Sequence, residues 1–198
     1  MKKILILGVV GLVFGLVSQC FAATAIRIAA IIGETHQMNV VLSKVAGVGI
    51  APVVVTDLAG TGMDFGTLTK NADNNFMSAA YFYIDAPVVS NKDGWTITHT
   101  ATDFANSAGN NLNGNANVTF EKVDAATGLG TALASGGKIS YAAAKTRAPI
   151  TKSELTGGWL RIYYGLATGS ADATGVSVIT TAHPTGTYVG TVTLTLSA

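Results

Sequence analysis

Toward its C-terminus the chain alternates with a period of two. Tyr188, Gly190, Val192, Leu194 and Leu196 share one parity, and Thr191, Thr193 and Thr195 the other. Successive side chains of an extended strand point to opposite faces. The pattern therefore predicts a strand over residues 187–196, with one face in a core and the other toward solvent or a partner. The same alternation sets Trp95, Ile97 and His99 against Thr96, Thr98 and Thr100, and Ile26, Ile28, Ala30 and Ile32 against Arg27. Residues 36–45, 53–56, 63–68, 80–84, 117–123, 138–141, 159–164 and 177–181 are further β-prone runs, separated by Gly, Asn, Asp and Ser. Many short strands punctuated in this way argue for a sandwich or barrel. No helical period is sustained after residue 22, and no composition shift marks a second domain.

The first residues follow a different rule. Lys2 and Lys3 precede an apolar run from Ile4 to Val17, and Cys20 and Ala22 place small residues at −3 and −1 of a cleavage point before Ala23. This is the three-part pattern of a secretory signal, so residues 1–22 read as a leader and 23–198 as one exported domain. The apolar run is shorter than the ~20 residues a membrane span needs, so the mature chain is expected to have no span. Lipidation at Cys20 would need Gly, Ala or Ser before it, where Gln19 stands. Cleavage removes the only cysteine and two of the 12 basic residues against 11 acidic ones, leaving a near-neutral chain without a disulfide. That balance gives no basic footprint for nucleic acid. Charged residues make up only 12% of the sequence, with Thr, Ser, Asn and Gly in their place. Such a surface suits β-structure and does little to keep copies apart.

Several short motifs suggest chemistry and are better read as structure. Asp64-Phe65-Gly66 spells a kinase metal-binding tripeptide, but no phosphate loop or catalytic loop accompanies it, so Phe65 is expected in a core with Gly66 at a bend. His36, His99 and His183 are not at metal-ligand spacing. Asn91-Lys92-Asp93-Gly94 and Asp73-Asn74-Asn75 resemble fragments of a calcium loop without its remaining ligands, and Asp93-Gly94 predicts a tight hairpin turn. The Asn-rich residues 106–117 predict a surface loop, and Asn117-Val118-Thr119 is an N-glycosylation sequon. No nucleophile elbow is present. A hydrolase would have to assemble its site from two of Asp57, Asp85, Asp103, Glu121 and Glu154 in a deep cleft. No catalytic residue, metal-ligand set or cofactor motif is therefore assigned, and the chain is read as non-enzymatic.

The order of the pieces carries a resemblance. A leader and an alternating strand over residues 24–32 are followed by Met63-Asp64-Phe65-Gly66-Thr67-Leu68, a Gly94-Trp95-Thr96-Ile97 strand and a terminal Pro184-Thr185-Gly186-Thr187-Tyr188-Val189-Gly190-Thr191-Val192-Thr193-Leu194 segment. This resembles bacterial secreted immunoglobulin-like subunits of the fimbrial and spore-coat-U type. The disulfide usual in usher-assembled subunits has no counterpart here. The resemblance implies an Ig-like Greek-key β-sandwich after a cleaved signal peptide. It also implies a secreted or cell-surface structural subunit, in the periplasm in transit, whose partners are copies of itself or a related subunit. If such a domain lacks a strand, an extended segment from a neighbour can fill the groove by β-strand addition, with Ile26, Ile28, Ala30 and Ile32 as the pocket-filling set. The same segment can equally be the domain's own first strand. The alternative function is a secreted carbohydrate- or surface-ligand-binding module. It would need a cluster of exposed aromatics from Tyr81, Tyr83, Trp159, Tyr163 and Tyr164, at best three of them coplanar.

Overall fold

The computed structural model describes residues 35–47, 49–57, 62–134 and 136–198. The leader and the alternating segment with Ile26, Ile28, Ala30 and Ile32 lie outside the described residues. The described residues belong to one compact unit, and their regular structure is almost wholly β.

A large antiparallel sheet is built from β2 (Val41–Val45), β3 (Val53–Val54), β6 (Tyr81–Ala86), β9 (Ala116–Asp124), β10 (Gly130–Ala132) and β13 (Gly158–Leu166), numbered in chain order with β1 (His36–Met38). Its order is β10-β9-β13-β6-β2-β3, and β11 (Lys138–Ser140) also pairs with β9. The second sheet has the order β12-β8-β15, from β8 (Thr96–Ala101), β12 (Ile150–Thr151) and β15 (Val192–Ser197). Smaller sheets pair β1 with β7 (Val88–Ser90), and β5 (Asn75–Met77) with β4 (Thr69–Lys70) and β14 (Ile179–Thr180).

The expected sandwich is the structure found. Phe82, Phe120, Leu160 and Ile162 of the large sheet and Ile97 of the second sheet are all fully buried. The His99 and Phe120 rings meet edge to face across the interface with centroids 5.3 Å apart. Burying side chains of this size contributes about 1.5–3 kcal/mol each. In an Ig fold one sheet reads A-B-E-D and the other C-F-G. Here β2-β6-β13-β9 reproduces A-B-E-D in chain order, and β8-β15 reproduces C-F. Among the described residues no strand occupies the G position.

Several local expectations change. Residues 63–68 form no strand, because the Asp64 carboxylate accepts the Gly66 N–H at 2.7 Å and Gly66 turns to φ 70°. Phe65 still reaches the core, edge-on to Phe82 at 5.0 Å. The polar stretch 70–75 is not all loop. The Asn71 side chain accepts the N–H groups of Asp73 and Asn75, folding it into the β4–β5 hairpin. Residues 36–45 split into two strands, since β1 pairs with β7 while β2 pairs with β6. Gly94 adopts φ 74° as a tight turn requires, yet β7 and β8 pair with different strands. The Asp93-Gly94 turn thus carries the chain between sheets rather than closing a hairpin. The last strand begins at Val192, with Val189 held only by a bridge to Ala105. A short helix α1 (Tyr141–Ala144) follows Ser140, whose side chain caps the Ala143 N–H, and a 3-10 turn (Lys152–Leu155) follows β12.

Candidate functional site

The feature that sets β15 apart is its free edge. It pairs with β8 from Val192 opposite Ala101 to Ser197 opposite Thr96, and among the described residues nothing pairs with its other side. Exposed edges are usually blunted by shortness, charge, proline or a bulge. The edge strands β3, β10 and β12 are only two or three residues long, and Pro52 precedes β3. By contrast, β15 is six residues, Val-Thr-Leu-Thr-Leu-Ser, with no charge and no proline. Its inward side chains Val192, Leu194 and Leu196 pack against the core but stay only partly buried. The matching residues of the large sheet, Leu160 and Ile162, are fully buried. Among the described residues, one flank of the core is therefore left half covered beside backbone N–H and C=O groups that pair with nothing. The outward side chains Thr193, Thr195 and Ser197 are exposed opposite Thr100, Thr98 and Thr96.

The outer face of the large sheet gathers four of the five aromatics named as binding candidates. Tyr81, Tyr83, Trp159 and Tyr163 share it, while alternation sends Tyr164 into the core. Tyr163 lies 6.3 Å from Tyr81 and 5.7 Å from Tyr83, but the rings are tilted by 46° and 52°. They cluster on one face, but they do not form the coplanar platform that would most favour a ligand-binding module. Arg161 stacks on Tyr83 at 4.4 Å and forms a two-pronged pair with Asp85, both bonds 2.7 Å long. Trp159 Nε1–H donates to the same carboxylate at 2.9 Å. The bond to Asp85 first, and Tyr163 to a lesser degree, raise the Arg161 pKa above its ordinary value against the opposing effect of burial, so the guanidinium stays charged. Replacing Asp85 with Ala leaves Arg161 and the indole N–H without their acceptor. Because both charged side chains keep 21% exposure, the expected loss is about 2 kcal/mol, below the ~3–5 kcal/mol of a fully buried pair. Urea unfolding of Asp85→Ala beside wild type measures it.

The remaining candidate residues are held in separate structural roles. Asp103 binds Lys145 and Asn113, and these contacts, the Lys145 bond first, hold its carboxyl below the ordinary value. Glu154 accepts the Thr151 N–H at 2.8 Å. Glu121 is in register with Arg161 on β9, but its carboxylate lies against Gly130 of β10. Asp93 pairs with Lys152 at 2.7 Å. His36 meets Ser90, His183 accepts the Thr180 N–H, and His99 is in the core. Among the described residues no three His, Cys, Asp or Glu come together as a metal site would require. The sequon Asn117 lies in β9, where its amide donates to Asp172 at 2.7 Å and accepts the Ala173 N–H at 2.8 Å. Among the described residues, no helix is long and apolar enough to cross a membrane.

Comparison with protein-family models, with curated proteins and with solved structures finds no match. Alternation gives the two faces of the last strand but not its place at an edge. The usable signal was present: a long alternating run without charge or proline is poorly protected as an edge.

Proposed function

We propose that this chain is an exported, non-enzymatic structural subunit whose open β15 edge accepts an extended segment from another copy of the chain. The free edge of β15 carries the reading. A strand added there supplies hydrogen-bond partners to the unpaired backbone, and its alternate side chains cover Val192, Leu194 and Leu196. The donor is the alternating segment with Ile26, Ile28, Ala30 and Ile32. Because β2 already holds the A position of the sandwich, that segment is not needed as a first strand, and its period matches what the G position lacks. Assembly of this kind gives a filament or a chain of subunits at the cell surface. It also accounts for a sequence with 12% charged residues, since weak mutual repulsion favours self-contact.

The mature protein is expected to form filaments or a ladder of oligomers in electron micrographs and on sizing chromatography. A version lacking residues 23–33 should run as a monomer. Ile28→Lys, which places a charge among the donated apolar residues, should shift the population toward monomer without deletion. If the mature protein is monomeric at all concentrations, and the truncated version unfolds, the segment is the domain's own strand and the exchange reading fails.

A further inference from the structure

The rim of the large sheet holds a small cleft that the strand-exchange reading does not use. Its volume is about 210 Å3, and it lies between the Tyr81 and Tyr163 rings and the loop that follows β13. Gly165 contributes to its lining. A Cβ at that position would stand 3.7 Å from the Tyr81 Cβ, in ordinary contact, so the missing side chain keeps the space open without strain. Thr119, Lys138 and Asp172 bring a hydroxyl, an ammonium and a carboxylate to the same cleft.

The polar side is held in place before any ligand arrives. Asp172 accepts the N–H groups of Thr168 and Gly169 as well as the Asn117 amide. Lys138 donates to the Ala171 carbonyl at 2.8 Å, and Ala171 sits at φ 53°. A left-handed alanine is uncommon, and such conformations persist where surrounding contacts impose them, often beside binding sites. A fixed loop facing an aromatic pair lowers the ordering cost of binding.

We propose that this cleft binds a single neutral sugar ring. One ammonium and one carboxylate leave the lining without net charge, which favours an uncharged polyol over an anion. The negative π-face of tyrosine attracts the weakly positive C–H face of a pyranose, while Thr119, Lys138 and Asp172 supply donors and an acceptor for its hydroxyls. The cleft is smaller than the ~300–1,000 Å3 of drug-sized ligand sites, so it accommodates one ring rather than an extended oligosaccharide. The tilt that prevents a flat platform suits this arrangement, because the two tyrosines form a wall.

Saturation-transfer NMR on the full exported chain, with D-glucose, D-galactose, D-mannose and N-acetyl-D-glucosamine as probes, tests the site. The method observes the sugar, so it reads binding whether or not the protein assembles, and its result is separate from the strand-exchange test. At least one probe is expected to receive saturation, strongest at its ring C–H protons. Tyr81→Ala should weaken that binding about tenfold. Gly165→Ala, which puts a methyl group into the cleft beside Tyr81 while leaving both tyrosines in place, should also weaken it. No transfer to any of the four sugars, or transfer unchanged in both variants, overturns the proposal.

Discussion

Phe120→Ala is expected to lower the stability of the fold by about 3–5 kcal/mol. The ring is fully buried at the middle of β9, where both sheets contribute to its surroundings. The His99 ring meets it edge-on at 5.3 Å, and the Arg147 guanidinium lies 4.4 Å from its centre. Truncation removes the apolar burial, the edge-to-face contact and a cation–π contact together. Neither strand can move in to fill the space, because β9 is held by β13 on one side and by β10 and β11 on the other. Urea unfolding followed by tryptophan fluorescence gives the loss. Leu129→Ala is the control: that side chain is 69% exposed, and its removal should change stability by no more than about 0.5 kcal/mol. A loss below about 1 kcal/mol for Phe120→Ala would contradict the packing of β8 against β9.

The parts of this fold that were readable from sequence are those where alternation meets a buried face. Trp95, Ile97 and His99 were placed on one side of a strand by parity alone, and all three are buried. The strand predicted at residues 159–164 extends to Gly158–Leu166, with Leu160, Ile162 and Tyr164 inward as alternation requires. Pairing was less readable, because it depends on contacts distant in sequence. Nothing local to Asp93-Gly94 says that the flanking strands belong to different sheets. Gly158 faces the same difficulty. Its hydrogen stands where a Cβ would lie 2.0 Å from the Val123 carbonyl oxygen, an approach that appears only once β13 lies beside β9. Short strands such as β10 owe their existence to β9 rather than to their own residues. For the edge of β15, parity gives which residues of the last strand face inward, but that no described strand lies beside it is a property of the assembled sheet. The Asp85–Arg161–Trp159 network was hidden for the same reason, since its members lie 74 and 76 positions apart.

His99 should give the fold an acid-sensitive limb that begins below pH 6.5, separate from the contribution of Asp103 and Asp124. The ring is 2% exposed. Its Nδ1 lies 2.9 Å from the Ala144 carbonyl oxygen, which can only accept, so Nδ1 carries the hydrogen. In the neutral ring Nε2 is then bare and accepts from the Tyr164 hydroxyl at 2.9 Å. Protonation would put a second hydrogen between Nε2 and that hydroxyl and place a charge in the core. Burial, first, and the nearby Arg147 charge, to a lesser degree, hold the pKa below its ordinary value of 6.5, outweighing the opposing pull of the Ala144 bond. The unfolded chain therefore takes up a proton that the folded chain refuses. Stability is full above pH 6.5 and declines as the pH falls below it, by at most about 1.4 kcal/mol per pH unit for one proton. Asp103 and Asp124, whose carboxyls are held below 3.8, act in a separate window: their contribution is present above that value and is lost as the pH falls through their folded pKa. His99→Leu removes the upper limb. The variant should be less stable than wild type at pH 8, because the Tyr164 hydroxyl and Ala144 carbonyl each lose a partner at about 1–3 kcal/mol, yet its stability should change less between pH 6.5 and 3.8. Urea midpoints measured across that interval decide the matter. Parallel curves for the two proteins would mean that His99 is not the group responsible, whereas converging curves assign the acid response to this one ring between the sheets.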